Sequence, residues 1–227
     1  MKNRWIFRYA AYGAALLGLG LQPLVTLHAE PGQDSPSEII RQVESAYAKT
    51  QDIEAEFTQR VVFKDFDTPF ISKGRVYLAR GKMRWDYQEP SKQQIFVNQE
   101  EVLYYVPEHR QVIKSSLSAE TDSQLPLDLL SGTTRLSQNF EVSVQSSGGK
   151  TYRLKLIAKD KKIRTGPIEI EVSLPTYLIQ KITLNEQNGN RSIFDFSDLK
   201  INQGLKEVTF SFVFPKGVEV IEAPPIR

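Results

Sequence analysis

The chain reads as a mostly β protein. The expected form is a strongly curved, barrel-like antiparallel sheet of about ten or eleven strands, with one N-terminal amphipathic helix and a short helical insert. Three observations lead there. Apolar residues recur at every second position in short runs between Ile53 and Phe214, the period of a strand with one buried face. Most runs are joined by turn-forming clusters such as Pro107-Glu108-His109-Arg110, Ser146-Ser147-Gly148-Gly149 and Asn188-Gly189, too short for crossover helices, so neighbours are antiparallel. So many strands against a single long helix exceed what a flat sheet carries, and the sheet must curl.

The elements follow in order. Met1 to Ala29 has the form of a secretory signal peptide. Lys2, Arg4 and Arg8 give a positive start, Ala10 to Leu21 is apolar but short and broken by Gly13, Gly18 and Gly20, and Leu27-His28-Ala29 ends on a small residue. A single domain is expected over 30–227. Ser35-Pro36-Ser37-Glu38 is a capping box with proline at the first helical position. Ile39, Ile40, Val43, Ala46 and Tyr47 follow at helical spacing.

From Ile53 the period switches to two, and a strand runs to about Phe63. The stretch Gly74 to Tyr87, GRVYLARGKMRWDY, then reads as a hairpin turning at Arg80-Gly81. One face carries Val76, Leu78, Met83, Trp85 and Tyr87; the other carries Lys82, Arg84 and Asp86. Beyond the leader Trp85 is the one tryptophan, and it offers the largest apolar face of any side chain. Such a face either fills a core or lines a cavity.

Further strands are expected at Gln94 to Asn98, Val102 to Val106 and Gln111 to Lys114. Ser123 to Gly132 breaks the pattern as a short helix with Leu125, Leu129 and Leu130, and Thr134 to Asn139 adds a further turn. Leucines of that kind must bury on the sheet, as packing, as a stopper or as a movable lid. Strands resume at Phe140 to Gln145, Tyr152 to Ala158, Ile168 to Ser173, Leu178 to Asn185, Ile193 to Leu199 and Val208 to Phe214. The basic segment Lys159 to Gly166 between two of them reads as a solvated loop.

Composition excludes several functions. Without Lys2, Arg4 and Arg8 the chain keeps 26 of its 29 basic residues against 27 acidic ones, too even a balance to attract nucleic acid or an anionic surface. The chain contains no cysteine, so no disulfide holds it and no lipid anchor is expected at the cleavage site. Beyond the leader the one histidine is His109, in a turn, and no metal-binding or nucleophile-bearing motif occurs. Neither an enzyme nor a cofactor is expected.

Taken together, I-x-A-x-F-T-Q from Ile53, the Gly74 to Tyr87 stretch, Pro90 with Gln94-Ile95, the L-P-L-D-L-L-S-G insert and F-x-F-x-x-P-x-G-V-x-V from Phe210 to Val220 resemble the LolA family. The likeness spans about Ser35 to Ile221 and rests on the order and spacing of its pieces. It implies a half-open antiparallel barrel closed by helices. It further implies a periplasmic carrier that takes lipoproteins from an inner-membrane Lol ABC transporter to the outer-membrane receptor LolB, as a monomer. At about 0.8 kcal/mol per buried CH₂, such cargo cannot cross water unshielded.

On that reading Phe57, Met83, Trp85, Tyr87, Val97 and Tyr105 line an apolar hollow of several hundred Å³. Leu125, Leu129 and Leu130 belong to its lid. The family's arginine, which holds the lid closed through helix or loop carbonyls, precedes a proline; here Arg80 precedes Gly81. Two alignments follow, one giving Arg80 that role and one placing Ala79 there, with Arg80 an exposed turn residue. Rival readings are a LolB-like receptor, which would need a cysteine at the cleavage site, a lipoprotein sensor of the same fold, and a structural exported β-protein with a packed interior.

Overall fold

A computed structural model describes residues 35–98, 100–116, 129, 135–160 and 166–223, with the backbone alone at 146–148. Helix α1 (Pro36–Lys49) begins where the sequence says it should: the Ser35 hydroxyl accepts the Glu38 N–H, and Glu38 in turn pairs with Arg41 one turn on. Its apolar stripe buries Ile39, Val43 and Tyr47. At about 1.5–3 kcal/mol for each large apolar side chain removed from water, that stripe, more than intrinsic helix propensity, holds α1 in place.

The strands are β1 (Asp52–Val62), β2 (Phe70–Ala79), β3 (Lys82–Glu89), β4 (Gln93–Val97), β5 (Glu101–Val106), β6 (Gln111–Ser116), β7 (Phe140–Gly148), β8 (Thr151–Ala158), β9 (Ile168–Ser173), β10 (Ile179–Asn185), β11 (Arg191–Ile201) and β12 (Glu219–Glu222). A one-turn helix, α2 (Leu136–Asn139), leads into β7. All twelve strands form one open sheet in the order β12-β6-β5-β4-β3-β2-β1-β11-β10-β9-β8-β7. Pairings are antiparallel except β12 on β6, which is parallel. Among the described strands, neighbours are consecutive in the chain at all but two places: β11 pairs with β1 along most of its length, and β12 with β6. The sheet is open, with β12 and β7 at its edges, and the described residues lie in one compact unit.

Two expectations change. Val208 to Phe214 is not a strand: Glu207–Phe210 is a 3-10 turn, and the rest runs extended without a ladder partner. The strand at this end of the chain is instead Glu219–Glu222, exposed throughout. β2 also starts earlier than the hairpin motif, at Phe70.

Both faces of the sheet are covered. The concave face and α1 share one cluster that includes Ile39, Val43, Phe57, Trp85, Leu154 and Ile170. On the convex face Phe96, Leu103 and Val112 form a second, smaller cluster beneath Phe212 and Val218 of the chain's last segment. Asp52 fastens the start of that segment, its carboxylate accepting the N–H groups of Gln203, Gly204 and Leu205 at 2.7, 2.9 and 3.2 Å.

Candidate functional site

Strand parity places Phe57, Trp85 and Tyr87 on the concave face, and register brings them together. Phe57 lies opposite Gly74 on one side and Phe196 on the other; Gly74 in turn lies opposite Tyr87. Trp85 is flanked by Val76 and Ile95, and Met83 by Leu78 and Val97. The Phe57 ring meets Trp85 edge-on at 4.6 Å and Tyr87 edge-on at 5.0 Å, the geometry that ring quadrupoles favour. Trp85 Nε1 donates to Met83 Sδ at 2.6 Å, which satisfies the one polar atom of the indole within the apolar cluster. Gly74 makes this possible: its missing side chain leaves room for the Phe57 ring.

Phe194 and Phe196 extend the cluster from β11, at 5.3 and 6.1 Å from Trp85. They were not among the expected lining residues. The signal was present, because F-x-F within a strand sets both rings on one face.

The polar groups of this face are hydroxyls and amides. The Tyr87 hydroxyl donates to Gln59 Oε1 at 3.0 Å, and burial, with a smaller contribution from Tyr104, pushes its pKa up to about 12. Tyr47, on α1, accepts the Ile179 N–H at 3.2 Å, and burial raises its phenol well above the ordinary value. Phenols held in this way stay neutral in the folded protein at ordinary pH.

The face is covered in this structure. Phe57 is 2% exposed and Trp85 6%. Leu129, expected in the lid, is 3% exposed and belongs to the same cluster, together with Leu136 of α2. Leu125 and Leu130 lie outside the described residues. A separate space of about 240 Å³ bordered by described residues lies toward the convex side, lined by Phe96, Leu103, Phe210 and Phe214 among others, with Lys82 paired to Glu207 beside it.

Tyr105 requires a correction. Its partner across β4 is Gln94, on the convex face, and its ring meets Phe212 of the last segment at 5.2 Å. Tyr104 is the residue on the concave side, opposite Ile95. Val97, opposite Met83, belongs to the main cluster and also borders the convex-side space. Arg80 is exposed beside Gly81, whose φ of 69° makes the tight turn. Arg80 Nη2 donates to the Ala48 carbonyl near the end of α1 at 3.3 Å, so the carbonyl it reaches is a helix carbonyl.

The convex face is built with charge. Arg84 pairs with Asp86 at 2.8 Å, lies over the rings of Tyr77 and Phe96 at 5.6 and 5.1 Å, and donates to the Thr209 carbonyl at 3.2 Å. Those contacts fix the last segment to the outside of the barrel. The two faces therefore differ in kind: an uncharged aromatic interior and an ion-paired exterior.

Comparison with known proteins agrees with this architecture. A crystal structure of an uncharacterized conserved protein from Thermus thermophilus superposes with a TM-score of 0.55 at 13% identity, over 84% of this chain and all of that one, which is a likeness of fold. An outer-membrane lipoprotein carrier protein of Methylococcus capsulatus is 30% identical over 171 residues, 75% of this chain and 81% of that protein. One of Pseudomonas putida is 28% identical over 200 residues, 87% of this chain and 90% of that protein. The family model described as outer membrane lipoprotein carrier protein LolA matches residues 48–213, from the end of α1 through the sheet to the segment covering its convex side, and the chain belongs to the LolA family.

Proposed function

We propose that this protein is a carrier of lipoproteins and not an enzyme, working in the periplasm after removal of residues 1–29 as a signal peptide, with 30–227 acting as one domain. It would accept its cargo from an inner-membrane Lol ABC transporter and deliver it to LolB at the outer membrane, as a monomer. The observation that carries the reading is the uncharged aromatic concave face of Phe57, Trp85, Tyr87, Phe194 and Phe196 beneath α1, within a chain of the LolA family. Hydrocarbon held there would exchange contact with water for contact with rings, at about 0.8 kcal/mol per CH₂.

Phe57 and Trp85 are buried in this structure, and on this reading loading displaces what covers them. Acyl chains would take the place of ring–ring and ring–helix contacts, and α1 with the segment around Leu129 and Leu136 would move aside as the cover. Arg80, bonded to α1, would help to hold that cover down in the unloaded protein. Replacing one set of apolar contacts by another also keeps the net affinity moderate, as a carrier that must release its load requires.

Two measurements test the reading. The protein should bind a fluorescent fatty-acyl probe and release lipoproteins from inner-membrane spheroplasts, and a folded Trp85→Asp variant should do both poorly. Equal performance by that variant would remove the concave face as the site. Depletion in the source cell without retention of lipoproteins at the inner membrane would remove the carrier role.

A further inference from the structure

The concave aromatic face does not stop at the buried cluster. Along β1 the inward positions after Phe57 are Gln59 and Val61; their partners are Ser72 and Phe70 on β2, and Phe194 and Ser192 on β11. None of these side chains is charged. Phe63 continues the line, and its ring meets Phe70 edge-on at 5.5 Å and Phe66 at 6.0 Å. From Phe57 to Val61 the track covers about 14 Å at ~3.4 Å per residue. It begins among fully buried rings and ends at a hairpin tip where Phe66 is 64% and Phe70 61% exposed.

The tip is held in place while its rings stay in water. The Lys64 N–H donates to Asn190 Oδ1 at 3.1 Å, tying it to the turn between β10 and β11. Two exposed phenylalanines, Phe66 and Phe70, both packed on Phe63, incur a cost in solubility and need an apolar partner. Their surroundings select its chemistry. The track is a single row of side chains along β1, uncharged on its inward side and continuous with the ring cluster, which suits a linear hydrocarbon chain. The Tyr87–Gln59 hydrogen bond is a polar step midway between the cluster and the tip, with the hydroxyls of Ser72 and Ser192 near it on the flanking strands.

We propose that the track from Phe57 past Gln59 to Phe63, Phe66 and Phe70 is the passage by which an acyl chain enters and leaves the barrel, with the three tip phenylalanines as its outer hydrocarbon-binding site. The proposal rests on the carrier reading above and adds its route. The chain slides over the tip rings, passes the Tyr87–Gln59 step and displaces the Phe57–Trp85 contact.

Nitroxide-labelled stearate, with the label near either end, is added to ¹⁵N-labelled protein and amide signals are followed by NMR. Amides of residues 61–71 are expected to lose more than half their intensity with at least one label position, together with those of Phe57 and Trp85. A Phe66→Ser/Phe70→Ser variant, altered only at exposed positions, should keep the broadening at Phe57 and Trp85, lose it at the tip, and bind the probe several-fold more slowly. Broadening at the core with an unaffected tip overturns the route and leaves the carrier reading standing. So does a double variant that retains the parental tip broadening and rate. Absence of probe binding altogether overturns the carrier reading and the route with it.

Discussion

The ring of Phe57 lies over Gly74: a Cβ at residue 74 would sit 2.9 Å from Phe57 Cε1 and 2.0 Å from the Asp86 carbonyl oxygen. The close approach of β2 to β3 and the seat of the central ring depend on the same missing atom. Gly74→Ala must therefore push β3 away or unseat Phe57. We expect a loss of about 3 kcal/mol or more, in the range of severe core strain, read as a fall in the urea midpoint at unchanged slope. A loss below about 1 kcal/mol would show that the strands adjust freely.

The two neighbouring tyrosines of β5 should separate by face. Tyr104→Ser, on the concave side, is expected to weaken binding of a fluorescent fatty-acyl probe by about 1 kcal/mol, roughly fivefold. Tyr105→Ser should leave binding unchanged and lower stability by loosening Phe212. The reverse assignment in a titration would place the ligand on the convex side.

Asp52 is buried and collects three backbone N–H groups. Asp52→Ala leaves those donors without their acceptor, and we expect about 3 kcal/mol of destabilisation, with Asp52→Asn costing less because its carbonyl still accepts. Limited proteolysis reports the same change locally, with faster cutting between residues 203 and 218. Unchanged cutting would mean that the contacts of Arg84 and Phe212 hold this segment by themselves.

Tyr87 gives the protein an alkaline limit. Its phenol has an ordinary pKa of 10 and is raised to about 12 by burial. Below pH 10 the phenol is neutral in both folded and unfolded chains, and the stabilisation is complete. Above pH 10 the unfolded chain ionises first, so stability falls until the folded phenol ionises near 12, by about 2–3 kcal/mol in all. Tyr47 and Tyr104, also raised by burial, act in the same direction. Urea midpoints from pH 9 to 12 should fall less steeply in Tyr87→Phe than in the parent, and parallel slopes would rule out this origin.

Much of this was legible in residues alone. The Ser35 capping box fixed where α1 starts, because a hydroxyl three residues before a free N–H needs no tertiary partner. Period two assigned most strands, and in GKMRWDY it grouped Met83, Trp85 and Tyr87 correctly, because alternate side chains of a strand share a face whatever that face meets. It could not choose the face in Glu101–Val106, where both sides are apolar: Tyr105 reads as well as Tyr104 until the Phe212 segment is seen lying across the outside. The same limit misread FSFVF at 210–214, since alternation reports one buried side and not a hydrogen-bonded neighbour.

Local residue patterns set the helix start, the strand periods and the turns, all of which follow from contacts within a few residues. That Phe57, Gly74 and Phe196 share a rung, that β12 lies along β6, and that Phe57 and Trp85 are buried came from the fold of the whole chain. Those depend on which distant segments meet, and pairing across such separations is set by the packing of the whole sheet.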